Sequence, residues 1–303
     1  MTELPYHWLQ RHGRHGWMWS LIGIAIVLAS MLIVSNLLLL GVTTIGVAIA
    51  KHGQGVGYEM NRLLSIDPLT PSALAYVDLG LAAAIPVTML VTRYLHGLPG
   101  AWLVSVVRRI RWRWLARCFG YAAITLVITM FIAQLLPNHA QGTDLAASPH
   151  HWTGTSTAFL IVILLLTPLQ AAGEEFAFRG YLTQAVGAVF TSKWVAIVVP
   201  ALIFAIAHGI GQDWPVFIDR LAFGLIAGWL VIRTGGVEAG LAMHTMNNLV
   251  AFLAALIFGD LTNTLTVTSG SAWDLVSTAS QSLIYLGLCM LNLRKLEGSS
   301  ASV

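Results

Sequence analysis

The sequence predicts an all-α integral membrane protein, a bundle of about eight transmembrane helices around an intramembrane polar cavity. Three observations carry that reading. Of 303 residues, 57% are hydrophobic and 10% are charged, whereas a soluble chain carries about 25% charged residues. Apolar runs of about 20 residues recur, and that is the length of a membrane-spanning helix. The few polar groups inside those runs collect in four short segments of the second half.

The predicted spans run over 17–40, 73–94, 118–136, 157–176, 194–210, 216–232, 237–258 and 275–292. The first apolar stretch is longer than the core of a cleaved signal peptide, about 7–15 residues, and reads as a spanning helix. No repeat or low-complexity tract interrupts the pattern. The chain reads as one structural domain in three stretches: N-terminal helices with a basic interfacial loop (1–156), a central core (157–255), and a last span with its tail (256–303).

Basic residues set the orientation. Arg108, Arg109, Arg111, Arg113 and Arg117, interleaved with Trp112 and Trp114, form a basic aromatic segment suited to the inner leaflet. It reads as a topology anchor, with recognition of an acidic partner as the functional alternative. With that segment cytoplasmic, Arg11, Arg14, Lys193, Arg233, Arg294 and Lys295 also fall inside. The loops 137–156 and 259–274 fall outside and carry no Lys or Arg, while Lys51 and Arg62 are exceptions on a longer outer loop. Both termini are thus expected in the cytoplasm of a multi-pass protein of the cell membrane. His7, His12 and His15 read as a solvated basic terminus rather than a metal-binding tail. Cys118 and Cys289 read as small buried hydrophobes. A net charge of +3 gives no reason to expect a nucleic-acid partner.

Ionisable groups in hydrocarbon are costly, so each is a candidate functional group. Glu175 and Arg179 are spaced i, i+4 and can pair on one helix face. Glu174 projects about 100° away and escapes that arginine. A buried carboxylate without its own cation suits general-base work near neutral pH. The two adjacent glutamates are therefore expected to differ, one reactive and one structural, unless both simply pair with Arg179. His208 shares a helix face with Phe204. His244 and Asn248 share another, where an imidazole and an amide can both donate to a developing oxyanion. Asn247 lies off that face. Asp219 and Arg220 read as packing partners or as groups near the membrane edge. Two imidazoles and a carboxylate would also suit zinc, although no HExxH is present. Pro168 and Pro200 sit upstream of the key residues and can kink their helices.

EExxxR at 174–179, FxxxH at 204–208 and HxxxN at 244–248 occur in this order. In this order and spacing the three resemble the CAAX protease and bacteriocin-processing (CPBP) family of intramembrane endopeptidases. The family includes CAAX prenyl endopeptidases and lysostaphin-resistance-like proteins. The likeness covers about 157–255, which becomes a CPBP-like catalytic core. It implies a site in a cavity within the membrane, with Glu174 activating water and His208 holding or polarising it. His244 and Asn248 would stabilise the oxyanion, while Glu175, Arg179 and Phe204 would support the site. No cofactor is expected on this account; an older view of the family makes the glutamates and histidines zinc ligands. The expected partners are the lipid bilayer and a peptide or membrane-protein substrate. Short loops and an aliphatic, tryptophan-rich composition point to a prokaryotic chain, for which a bacterial peptide fits better than a prenylated one. Two rivals stand beside this reading. One is a non-catalytic scaffold or peptide-immunity protein of the same fold; the other is a proton-coupled transporter.

Overall fold

The computed structural model describes residues 4–136, 147–209 and 211–300, the side chains of 294–300 excepted. Seven helices are long and apolar enough to cross a membrane. They are α1 (Trp17–Ala50), α2 (Pro71–Tyr94), α3 (Trp112–Gln134), α4 (Gly154–Val189), α6 (Trp214–Thr234), α7 (Glu238–Phe258) and α8 (Asp274–Leu293). Between α4 and α6 lies α5 (Lys193–Ala207), apolar but only 15 residues long. At 1.5 Å per residue it covers about 22 Å, short of the ~30 Å hydrocarbon core. The predicted helical bundle stands, with α5 as its short member. Among the described residues the only β-type pairings are two isolated bridges.

Two helices exceed their predicted lengths by ten residues or more. α1 runs on to Ala50, and α4 occupies 36 residues rather than twenty. A straight α4 would measure about 54 Å, so it must tilt or bend to fit a bilayer. Its irregularities are local. The α-helical ladder is interrupted at Leu166 and restarts at Thr167, with Pro168 in the first turn. There proline's missing N–H removes no ladder bond. Immediately after Glu175 the backbone widens into a π-helix over Phe176–Leu182. Such π-segments are often found at functional sites.

The amino terminus is only in part the solvated tail that its charge suggests: His12, Arg14 and His15 are exposed, but His7 is buried. Tyr6–His12 form a 3₁₀ helix with Tyr6, His7, Leu9 and Gln10 buried. The reason is a close approach: a Cβ on Gly187 would lie 2.0 Å from the His7 carbonyl oxygen, so only glycine lets the two backbones meet. Arg11 donates to the Gly187 carbonyl at 2.9 Å, satisfying the end of α4. The segment 95–111 closes over the same end. Gln184 donates to the Trp102 carbonyl at 2.8 Å, and the Tyr6 hydroxyl donates to that of Leu103. Arg111 grips the buried Glu238 through Nε (2.9 Å) and Nη2 (2.7 Å). The largest apolar cluster, with Tyr6, Leu103, Phe178, Tyr181 and Val237, fills this end of the bundle.

The basic segment, the amino terminus and the α6–α7 turn therefore share one end. The opposite end carries the 51–70 stretch, the α5–α6 turn and the loop 259–273. Of the predicted outer loop 137–156, residues 137–146 lie outside the described residues, as do the side chains of Arg294 and Lys295.

Candidate active site

A cavity of about 650 Å³ lies between the helices, within the usual range of about 300–1,000 Å³ for ligand sites. Its wall includes Glu174, Phe204, His208, His244 and Asn248. Four of the five come from three different helices, α4, α5 and α7, brought together by packing. Glu175 and Arg179 do not line the cavity; they lie behind its wall, essentially fully buried.

The chemistry centres on His244. Its Nδ1 is 2.9 Å from Glu175 Oε1, and its Nε2 is 3.2 Å from Glu174 Oε2. One imidazole thus bridges the two adjacent glutamates. Arg179 Nη1 is 3.0 Å from Glu175 Oε1, the i, i+4 pair that the spacing predicts. The Arg179 guanidinium also lies over the Phe204 ring (4.2 Å) and the Phe223 ring (5.3 Å). Stacking of this kind stabilises a desolvated cation. Phe204 touches Phe178, His208 and His244 by ring edges as well. A Cβ on Gly240 would lie 2.5 Å from Glu175 Oε2, so the backbone of α7 comes up against that carboxylate.

Glu174 differs from its neighbour. Escape from Arg179 was expected; full isolation from any partner was not found, because His244 stands 3.2 Å away. The two carboxylates differ in what they face: Glu174 faces the cavity and Glu175 faces the protein. Glu174 Oε2 is buried without an aligned hydrogen bond. A buried acceptor of this kind is a place for water or substrate.

His208 is not inside a helix as expected but caps the end of α5, followed by Gly209 at φ +120. Its Nδ1 meets the Phe204 carbonyl at 2.8 Å, which fixes the ring and leaves Nε2 toward the cavity. Asn248 donates one amide proton to Gln170 Oε1 at 2.9 Å; the amide has a second. Asn247, predicted off the working face, also lines the cavity and bonds Gln281.

Several lining groups went unnoticed in the sequence. Gln170 is four residues before Glu174, one turn away on the same helix, a spacing that could have flagged it. Asp78 lies in the first half of the chain, where no polar group had been marked; it lines the cavity and accepts from Thr167 at 2.9 Å. Asp219 and Arg220 line the cavity as well, rather than only packing.

Residues 154–250 match the family described as Type II CAAX prenyl endopeptidase Rce1-like. The segment from α4 to α7 is Rce1-like. This agrees with the resemblance drawn from the three motifs, all of which fall inside the match. The Rce1-like family is one of peptidases, and the chain is a multi-pass membrane protein carrying such a segment. Over 253 residues the chain is also 26% identical to the uncharacterized protein YyaK of Bacillus subtilis (strain 168), covering 78% of this chain and 80% of that one. No solved structure gives a significant match.

The zinc alternative can be tested on the donor set. Both His244 ring nitrogens face carboxylate oxygens, and a carboxylate only accepts. Nδ1 is thereby held to Glu175, which lies behind the cavity wall. Among the described residues no group of three His, Cys, Asp or Glu side chains is placed to hold a metal ion. The residues as arranged do not fit a zinc site.

Proposed function

We propose that this chain is a glutamate-dependent intramembrane endopeptidase of the cell membrane, with both termini in the cytoplasm. The observation that supports it best is the placement of Glu174 on the cavity wall beside His208, His244 and Asn248, with Glu175 and Arg179 packed behind. A water held between Glu174 and His208 gives a proton to Glu174 as its oxygen attacks the substrate carbonyl. General-base help of this kind contributes about 10²–10⁴-fold. Negative charge then develops on the carbonyl oxygen. The His244 N–H that faces Glu174 and the second amide proton of Asn248 donate to it; one such donor is worth about 10²–10³-fold. Collapse of the intermediate breaks the C–N bond, and the proton on Glu174 passes to the departing amine. Glu175, held by Arg179, fixes the His244 ring from its other nitrogen, and Phe204 keeps Arg179 in place.

The substrate is a peptide or the segment of a membrane protein. Apolar side chains of α1 and α2 (Met31, Leu32, Val77, Leu81) line the cavity together with polar ones of α6, α7 and α8 (Asp219, Asn247, Gln281, Ser282). That pairing suits an extended backbone carrying aliphatic side chains. The test is cleavage of a peptide library by detergent-purified wild type and Glu174→Gln, each with and without a chelator. Fragments from wild type alone, unchanged by the chelator, are expected. Equal cleavage by both proteins contradicts the role of Glu174, and loss on chelation contradicts the metal-free mechanism. Absence of cleavage by either favours a non-catalytic scaffold.

A further inference from the structure

We infer that the candidate active site is a well entered from the extracytoplasmic face, so that its substrate is an apolar peptide segment presented outside the cytoplasm. The inference rests on the peptidase reading for the word substrate, but its geometry stands alone.

The first observation is where the lining residues sit along their helices. The polar wall draws on Asp219 and Arg220 near the start of α6 and on Thr278 and Gln281 near the start of α8. α5 contributes its last residue, Ala207, and the capping His208. Thr264 and Leu265, in the short helix Leu261–Leu265 between α7 and α8, line the cavity too. All of these lie toward one end of the bundle. His244 is the floor: it is six residues, or about 9 Å, from the start of α7 and fourteen, or about 21 Å, from its end.

The second observation is that the nearer end is shut. None of the described residues from the amino-terminal segment, from 95–111 or from the α6–α7 turn lines the cavity. Instead Tyr6, Leu103 and Val237 pack over Phe178 and Tyr181. The Arg111–Glu238 pair ties α3 to α7 beneath them, and Val237 donates to the Val104 carbonyl at 3.0 Å. Among the described residues the short way from His244 to water is blocked, and the lining of the cavity runs the long way, to the starts of α6 and α8.

The third observation gives the ends their sides. The shut end carries Arg108, Arg109, Arg113, Arg117, Lys193 and Arg233, while the open end carries Lys51 and Arg62 beside Glu59, Asp67, Asp213 and Asp260. Short cytoplasmic loops hold the excess of Lys and Arg. The shut end is therefore cytoplasmic and the well opens on the other side. Cytoplasmic proteins have no direct path to Glu174. A secreted peptide, or an exported segment of a membrane protein, does.

Single cysteines decide the matter, because Cys118 and Cys289 are both fully buried. Ala207→Cys, on the wall of the well, and Arg109→Cys, exposed on the basic loop, are expressed in intact bacterial cells and offered a membrane-impermeant maleimide. Ala207→Cys is expected to be labelled in intact cells. Arg109→Cys is expected to be labelled only after the membrane is opened. The reverse pattern overturns the inference, and so does an Ala207→Cys that stays unlabelled in both conditions, since the well would then not open at that end. The labelling does not depend on catalysis. A peptidase that fails the Glu174→Gln test yet labels as expected keeps the opening and loses the chemistry; reversed labelling with Glu174-dependent cleavage does the opposite.

Discussion

The two ends of the helix bundle are held together differently. At the basic end, aromatic side chains, a two-pronged Arg111–Glu238 ion pair and an embedded 3₁₀ helix pack the helices together. At the other end, single hydrogen bonds such as Asn247–Gln281 and Thr278–Asp219 cross a cavity of about 650 Å³. The difference teaches where rigidity is needed. Glu175, Arg179 and His244 must keep their places, so the dense end lies directly behind them. On the proposed peptidase reading the cavity admits water and a peptide, and its wall there is made of polar groups that hold one another one bond at a time.

The contrast can be broken most strongly at Glu238. It is 1% exposed and balances Arg111. Truncation of one member of a buried pair costs about 3–5 kcal/mol. Glu238→Ala is therefore expected to lower the thermal unfolding midpoint in detergent more than any single change in that wall. Next in size is Gly187→Ala, whose Cβ would lie 2.0 Å from the His7 carbonyl oxygen. Overpacking of this kind costs about 1–3 kcal/mol, and the strain is relieved if residues 4–16 lift away. Limited proteolysis should then cut within that segment in the variant and spare it in wild type.

Acid probes the same seal more gently. Burial first, then the charges of Arg11 and Lys193, hold His7 down from 6.5 to about 4. The docked segment thus binds a proton less readily than the released one. Docking is fully stabilised above pH 6.5 and weakens as the pH falls towards 4. Hydrogen exchange of residues 4–12 should accelerate over that window, and exchange in α8 should not follow it. The smallest effect is expected at the open end. Gln281→Ala removes one interhelical hydrogen bond, worth about 0.6 kcal/mol inside a membrane, and the unfolding midpoint should barely move.

Much of this was legible in the sequence, and the rest was hidden for physical reasons. Apolar run length gave the spans, and the i, i+4 spacing of Glu175 and Arg179 gave their ion pair. The three motifs gave the Rce1-like segment. The extension of α4 to Val189 was obscured because its last stretch, from Thr183 to Ala188, is buried among protein and carries Thr and Gln. Hydropathy looks for lipid contact, and those residues have little. His7 and Arg11 look solvated when charge alone is read; only the approach permitted by Gly187 embeds the turn that bears them. Asp78 was missed because a lone acid in an apolar span has no motif to announce it, and its neighbours across the cavity come from distant helices. The bridge that His244 makes between both glutamates depends on how α7 packs against α4, which no spacing within either helix records.

The central claim is that two adjacent glutamates have been given separate work by the cavity wall. It is tested most directly by purifying Glu174→Gln and Glu175→Gln together with wild type and measuring both peptide cleavage and thermal unfolding on the same samples. The account predicts that Glu174→Gln loses cleavage by at least about a hundredfold with its unfolding midpoint almost unchanged, and that Glu175→Gln, deprived of the charge that balances Arg179, unfolds at a lower temperature. A Glu174→Gln protein that cleaves at the wild-type rate would contradict it.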